Sequence, residues 1–575
     1  MDQGLGPGDE AVIFSRSFFQ FIKRIGAPLW ALPVTLLIVC FFFPLAKVLG
    51  LMFQKSGEIY LSAIWQPLGF TVYQAILSTL LTLLFGLPAA YVFTRFDFTG
   101  KRLLRILTML PFILPTVVVA AAFNALLGPH GWINMGLMQL TGSDIPPVHF
   151  LNTFGAILVA HVFYNVSIVI RVVGGAWSQL DPRLEQSASV LGASPWKVFQ
   201  TITLPLLRRS ILSASLLVFL FDFASFGVIL MLGGPEFQTL EVAVYTQALY
   251  FLNLPMAAIL SLVQLLCTLG VMLLHGRVNR SQPVPFFPRF RSEGTHPPRG
   301  AVEKGIVTLV VLTLFLLQVI PLLALASRSV FRVEAERGQR EDVQGGLTLE
   351  YYEELFVNKR GDVFYIQPAR AIANSLIFAG ITMLIAVING SLIAYTLVKV
   401  PSARRWLDPL VMLPFGASAV TLGLGFVVTF HGSTLTGNGF PWLIPLAHSL
   451  VAMPFVVRTV QPVLASIPPS LEQSAAVLGA SPLRVWWEVE MPLISRAFLS
   501  AALFSFTISL GEFGATSFIA RLDNPTMPLA IYRYLSQPGA LNYGQAMAMA
   551  TILIVICGIS LLLLENLSHA ALHSD

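Results

Sequence analysis

Two acids and two histidines stand among the ionisable side chains inside long apolar segments of the chain, where they could interact with a charged molecule. They are Asp222, Glu512, His161 and His448. Placing an ionisable group inside a membrane costs free energy, and such groups usually face the interior of a helix bundle. The acids therefore suit a path that carries a cation. Alternatively, they are buried, protonated and hydrogen-bonded to neighbouring segments.

The two histidines are equivalent in an internal repeat, and the two acids lie three positions apart when the halves are aligned. His161 and His448 are 287 residues apart, and at this offset Glu512 corresponds to Ser225, three residues after Asp222. Residues three apart lie on nearly the same face of a helix. Two histidines at symmetric positions could share a metal ion, but two ligands are too few for a zinc-type site. We therefore predict no metal site and favour a helix-packing role for the histidines.

The elements that carry these side chains are predicted to be transmembrane helices. The chain is 55% hydrophobic and 11% charged, whereas soluble proteins contain about 25% charged residues. About 20 apolar residues span a bilayer as a helix. Such runs lie near 28–52, 69–94, 104–127, 150–175, 209–231, 254–275, 304–327, 371–398, 407–430, 441–462, 497–519 and 545–565. The fold class is therefore an all-α integral membrane protein with about twelve transmembrane helices.

The distribution of positive charge predicts the orientation of these helices. Lysine and arginine are concentrated in the loops after spans 2 and 8 and in the middle linker. The predicted outer loops near 128–149, 232–253 and 431–440 contain neither residue. Because positive residues collect on the cytoplasmic side, both termini are predicted to be cytoplasmic. The net charge of +6 thus reflects membrane topology and does not indicate a nucleic-acid partner.

The chain is predicted to consist of two copies of one six-helix unit. At the offset of 287, Phe226 corresponds to Phe513 and Tyr245 to Tyr532. Both copies begin on the same side, so they form a parallel repeat, an arrangement found in transporters. The predicted regions are a cytoplasmic N-terminal segment at 1–27, a first half at 28–275, a cytoplasmic basic linker at 276–303, a second half at 304–566 and a cytoplasmic tail at 567–575.

One polar stretch is repeated more closely than the rest of the chain. The windows 185–205 and 472–492 are identical at 12 of 21 positions. Gly192 and Gly479 stand where a helix end needs left-handed or unhindered backbone. Pro195 and Pro482 follow at positions suited to the first turn of a second helix. Each window is thus predicted to form a helix–turn–helix elbow in a cytoplasmic loop.

The repeated pattern Glu-x-x-Ala-x-x-x-Gly resembles the EAA loop of permease subunits of binding-protein-dependent ABC importers. The third motif position, normally Ala, is Ser187 in one copy and Ser474 in the other. The resemblance covers nearly the whole chain and extends to fused permeases of the iron(III) and thiamine importers. The coupling-loop residues that it implies are Glu185, Ala188, Gly192 and Pro195 in the first half, and Glu472, Ala475, Gly479 and Pro482 in the second.

The resemblance implies a transport subunit of a bacterial plasma (inner) membrane that is not itself an enzyme. The chain lacks a G-x-x-x-x-G-K-[ST] phosphate loop, so ATP and Mg²⁺ are expected on a separate homodimeric ABC ATPase that docks on the two elbows. An extracytoplasmic binding protein is expected to deliver the solute. Iron(III) is the favoured solute and thiamine the next. The alternative is a secondary transporter driven by an ion gradient.

Within this interpretation, the four membrane residues are a hypothesis for the translocation pathway. Asp222, Glu512, His161 and His448 would line a path for a cationic solute. No cofactor is expected in the chain itself.

Overall fold

The computed structural model describes residues 30–278, 295–332, 346–357, 367–430 and 441–569, except 55–59, 61, 144 and 522. The predicted N-terminal segment at 1–27, most of the basic linker and the end of the C-terminal tail lie outside the described residues.

The described first half is helical. Its helices are Ala31–Leu37, Ile38–Phe42, Phe43–Gly50, Leu51–Phe53, Ser62–Arg95, Lys101–Ile113, Thr116–Leu127, Trp132–Thr141, Phe154–Ser178, Pro182–Val190, Pro195–Val198, Phe199–Thr203, Leu204–Phe223, Gly227–Leu232, Leu240–Leu249 and Leu254–Val278.

The described second half contains helices and one short antiparallel strand pair, Phe331–Arg332 with Gly346–Leu347. Its helices are Ala301–Leu314, Phe315–Val319, Ile320–Arg328, Glu350–Glu353, Pro368–Lys399, Pro401–Gly416, Ala419–Phe430, Leu443–Ala465, Pro469–Val477, Pro482–Val485, Trp486–Glu490, Met491–Gly511, Gly514–Ile519, Met527–Leu535 and Ala540–His569.

The predicted all-α membrane fold is confirmed. Among the described residues, 11 helices are long and apolar enough to cross a membrane, or up to 12 if the bent pair Ser402–Pro414 and Ala419–Phe430 is one span. Such helices satisfy their own backbone hydrogen bonds, which the hydrocarbon core of a bilayer requires.

The two halves repeat the same close helix packing. A Cβ atom on Gly86 would lie 2.6 Å from Cβ of Val169, and one on Gly390 would lie 2.7 Å from Cβ of Val456. Val169 and Val456 are equivalent in the repeat. Small residues let membrane helices approach closely, so the second and fourth spans of each half pack through the same glycine.

Several predicted spans are interrupted. The span expected at 104–127 breaks at Leu114 and Pro115, since proline lacks an N–H group and disfavours helical backbone at the residue before it. The fifth span of the first half ends at Phe223 and continues as Gly227–Leu232, and its equivalent ends at Gly511 and continues as Gly514–Ile519. The breaks in these two spans bring polar side chains and backbone groups close to the interface between the halves.

Candidate functional site: the two elbows and the buried acid–histidine pairs

The first elbow, residues 182–203, is two short helices joined by a left-handed glycine. Gly192 has φ of +84°, a value that glycine adopts without steric cost. Its N–H donates to the carbonyl of Ser189 at 3.0 Å, and the N–H of Ala193 donates to the carbonyl of Ala188 at 3.1 Å. This pair of bonds is a Schellman motif, which closes a helix C-terminus. The motif alanine thus supplies a backbone acceptor for the turn.

The second elbow, residues 469–490, repeats this geometry. Gly479 has φ of +83°, and the N–H of Ala480 donates to the carbonyl of Ala475 at 3.0 Å. In both elbows the next helix starts with proline, at Pro195 and Pro482. The serine before each proline caps the helix, as its hydroxyl accepts from a backbone N–H three residues on at 3.4 Å.

The motif glutamates attach each elbow to the end of the second span of its half. Glu185 pairs with Arg95 and accepts a hydrogen bond from Thr203 Oγ1 at 2.6 Å. Glu472 pairs with Lys399, whose Nζ also lies 2.8 Å from Glu490 Oε1. The two carboxylates therefore fix the direction of the elbows relative to the transmembrane bundle. Arg95 is 90 positions from Glu185, and Lys399 is 73 positions from Glu472. The motif alone therefore did not predict these partners.

The tips of both elbows expose apolar side chains at equivalent positions. Leu191 and Leu478 are each 87% exposed, and Val190 and Val477 are exposed beside them. Exposed apolar patches rimmed by polar residues occur at contacts with proteins, membranes and ligands. Each elbow therefore presents a short apolar contact surface, and the repeat presents two of them.

In the first half, Asp222 and His161 form a buried pair. Asp222 Oδ1 lies 3.5 Å from His161 Nδ1 and accepts a hydrogen bond from Asn165 Nδ2 at 2.6 Å. His161 Nε2 lies 2.9 Å from the hydroxyl of Ser225, just beyond the helix end at Phe223. The histidine thus links the fourth span to the broken fifth span.

In the second half, Glu512 and His448 form the corresponding pair. Here the acid lies next to Nε2 of the imidazole ring, whereas in the first half it lies next to Nδ1. Glu512 Oε2 lies 3.0 Å from His448 Nε2, while the hydroxyl of Ser509 lies 2.8 Å from His448 Nδ1. Ser509 is equivalent to Asp222, and Glu512 to Ser225. Glu512 also accepts from the backbone N–H of Ala515 at 2.8 Å, and thereby caps the helix that follows the break.

The structure therefore groups the four predicted residues into two pairs, one in each half. Each acid contacts the histidine of its own half. The described residues include no group of three or more His, Cys, Asp or Glu that could hold a metal ion. All four side chains are buried, and whether they line a pathway stays a prediction.

Another buried acid, Glu241, was missed because its segment was expected to be an outer loop. It lies in the short helix Leu240–Leu249, is 2% exposed and accepts a hydrogen bond from Gln264 Nε2 at 2.7 Å. Burial raises the pKa of the Glu241 carboxyl to about 8, against the opposing effect of hydrogen bonds from Ser418 and Gln264. The sequence signal was an apolar run around a single acid at 240–249.

Several curated proteins are similar to the chain over most of its length. The thiamine transport system permease protein ThiP of Escherichia coli (strain K12) is 27% identical over 95% of this chain and 98% of that protein. The ferric transport system permease protein FbpB of Actinobacillus pleuropneumoniae is 26% identical over 84% of this chain and 67% of that protein.

A solved structure of a bacterial alginate ABC transporter, in complex with a periplasmic protein that holds an alginate pentasaccharide, also matches. It has 18% sequence identity and a TM-score of 0.40, and it covers 46% of this chain and 98% of the matched chain. This likeness leaves the solute of the present chain open.

The two halves also match one family separately. Residues 82–282 and 386–572 each match the family described as binding-protein-dependent transport system inner membrane component. The two matches together cover more than half of the chain, and each contains one elbow and one acid–histidine pair. The chain therefore belongs to this family of inner-membrane transport components, with two copies of the family's domain fused in one polypeptide.

Proposed function

We propose that the chain is the fused permease subunit of an ABC importer, that its two elbows dock on a homodimeric ATPase, and that it moves a small cationic solute. The observation that carries the proposal is the pair of elbows with equivalent left-handed glycines and equivalent exposed leucines. Two equivalent docking surfaces suit a partner with two identical subunits.

The elbows suit the transfer of force between the two proteins. Each is attached by a glutamate to the end of a long helix, Ser62–Arg95 or Pro368–Lys399, that runs into the bundle. Converting a gate from 1:99 to 99:1 requires about 5.5 kcal/mol of differential binding. The chain has no phosphate loop of its own, so this energy would enter through the elbows, with ATP and Mg²⁺ bound by the partner.

The remaining steps follow from this arrangement. An extracytoplasmic binding protein would deliver the solute to the opposite side from the elbows, and both termini would be cytoplasmic. The relatives named above include a thiamine and a ferric permease, so the preference for iron(III) over thiamine stays a prediction. Nothing in the family match or these relatives supports an ion-gradient carrier.

Uptake by the reconstituted transporter tests this function. Vesicles that contain the chain, its ATPase and its binding protein are expected to accumulate thiamine or ferric ion at least about tenfold more with internal ATP than without it. Radiolabelled solute and released phosphate are measured together. Accumulation driven by an imposed ion gradient in the absence of ATP would support the secondary transporter, and ATP-dependent uptake of neither solute would contradict the proposed solute class.

The double variant Asp222→Asn, Glu512→Gln tests the pathway hypothesis. Removing both carboxylates is expected to lower cation uptake at least about tenfold, since a loss of about 1.4 kcal/mol of attraction changes an equilibrium by this factor. ATP hydrolysis by the assembled complex is measured in parallel. The control is Glu354→Gln, which removes another buried carboxylate. Unchanged uptake in the double variant would show that the acids serve only in packing.

A further inference from the structure

Aromatic side chains from both halves meet directly beside two of the buried acids. We call Phe226, Tyr245, Phe513, Phe518 and Tyr532 the aromatic seam. Phe226 and Phe513 are equivalent in the repeat, and their rings stack with centroids 5.6 Å apart and planes inclined by 20°. The stack therefore lies on the pseudo-symmetry axis between the halves, where a parallel repeat would form its pathway.

The tyrosines extend this stack in the same way on both sides. The ring centroids of Tyr245 and Phe226 are 5.1 Å apart, and those of the equivalent Tyr532 and Phe513 are 5.3 Å apart. Tyr245 also packs edge-on against Phe518 of the other half at 5.6 Å. The aromatic seam thus brings rings from both halves into contact at the interface between them.

Two carboxylates border the seam. Glu512 is the residue before Phe513, and Glu241 lies one helical turn before Tyr245 on the same face of its helix. Glu241 is close enough to Glu512 for their charges to interact, and it hydrogen-bonds with Ser418 of the second half. Arg533 is the basic group near Tyr245. Arg533 balances one of these acids, so the named groups are net negative only when Glu241, whose pKa is raised to about 8, is ionised.

These groups suit a flat organic cation better than a ferric ion. A cation over an aromatic face is attracted by the ring quadrupole, most strongly when it is desolvated, and a carboxylate can neutralise its charge. Ferric ion, a hard cation, needs several oxygen ligands at once; the described residues offer no group of three or more His, Cys, Asp or Glu there, and phenols would bind it as phenolates. Burial raises the pKa of both the Tyr245 and the Tyr532 phenols above their usual range, so these phenols stay neutral.

We propose that the aromatic seam is the solute-recognition layer of the permease and that it accepts a planar heteroaromatic cation of the thiamine type. This inference rests on the proposed transport function and narrows its solute class. In the present structure the rings contact one another, so the cation would enter when the halves separate and the Phe226–Phe513 stack opens.

The test uses the complete transporter with saturating thiamine-loaded binding protein, and measures thiamine taken up per ATP hydrolysed. Phe226→Leu with Phe513→Leu is expected to lower this ratio at least about tenfold, because two cation–π contacts are lost. Phe226→Tyr with Phe513→Tyr, which keeps both rings, is expected to stay within about twofold of the wild type.

A second stacked pair across the halves provides the matched control. Phe112 and Phe504 stack at 6.1 Å and 21°, but Arg171 lies over the Phe112 ring, so a solute cation would be repelled there. Phe112→Leu with Phe504→Leu is expected to leave the ratio unchanged. The inference would be overturned if both leucine double variants lost the same fraction of thiamine uptake per ATP hydrolysed. It would also be overturned if the Phe226→Leu, Phe513→Leu variant lost none.

If the leucine variant at the seam fails to fold, the isosteric Glu241→Gln variant still tests the proposal, with an expected loss of about fivefold in the same ratio. A wild-type complex that imports ferric ion but not thiamine would overturn the inference and leave the ABC importer function intact. Absence of ATP-dependent uptake of both solutes would instead contradict the proposed function.

Discussion

The double variant Leu191→Asp, Leu478→Asp is expected to weaken binding of the ATPase at least about 100-fold. Burying a leucine contributes about 1.5–3 kcal/mol, and both side chains are 87% exposed in the chain alone. An aspartate at either tip would also have to lose its hydration in an apolar contact, which is unfavourable. The two losses would act on one complex, because under the proposed function both elbows dock on the same dimer.

Co-purification and surface-immobilised titration of the ATPase measure this effect. Leu140→Asp is the matched control, since Leu140 is 85% exposed and lies in the helix Trp132–Thr141, which is separate from both elbows. The control is expected to bind the ATPase normally. Wild-type affinity in the double variant would exclude the tips as the docking surface.

The variants Gly192→Val and Gly479→Val are expected to abolish coupled uptake while the chain still inserts into the membrane. A Cβ atom at either glycine would meet no heavy atom within 4 Å, so the substitution acts on the backbone alone. Left-handed backbone costs an L-residue about 1–2 kcal/mol, and more for a β-branched side chain. The Schellman turn would open, and the second helix of the elbow would leave in another direction.

Gly305→Val provides the comparison, because Gly305 also has open space around it but lies within the helix Ala301–Leu314, without positive φ. The amount of protein in the membrane fraction, ATPase binding and uptake are measured for all three variants. Normal coupled uptake in both elbow variants would show that the left-handed turn is dispensable.

The sequence predicted the parts of the fold that depend on local composition and on repetition. Apolar runs located the spans, and the twelve identities between windows 185–205 and 472–492 located the elbows. The left-handed conformation of Gly192 and Gly479 followed from the preference of glycine for helix C-termini. These predictions concern residues close in sequence, where short-range sterics decide the structure.

Features that depend on contacts between distant segments were not predictable. Arg95 and Lys399 were counted only as positive residues of loops, whereas they hold the motif glutamates of the elbows. Glu241 stood in an expected outer loop and is buried. The sequence placed Asp222 and Glu512 on a similar helix face, but it could not show that each would contact the histidine of its own half.

Fusion of the two halves in one polypeptide allows them to differ, and the acid–histidine pairs show such a difference. Asp222 and Ser225 in one half correspond to Ser509 and Glu512 in the other, so each histidine contacts one carboxylate from opposite ends of its ring. A permease assembled from two copies of one gene product would carry the same acid twice. A single reading frame encodes the two halves separately, and selection can then change the acid of one half without a matching change in the other.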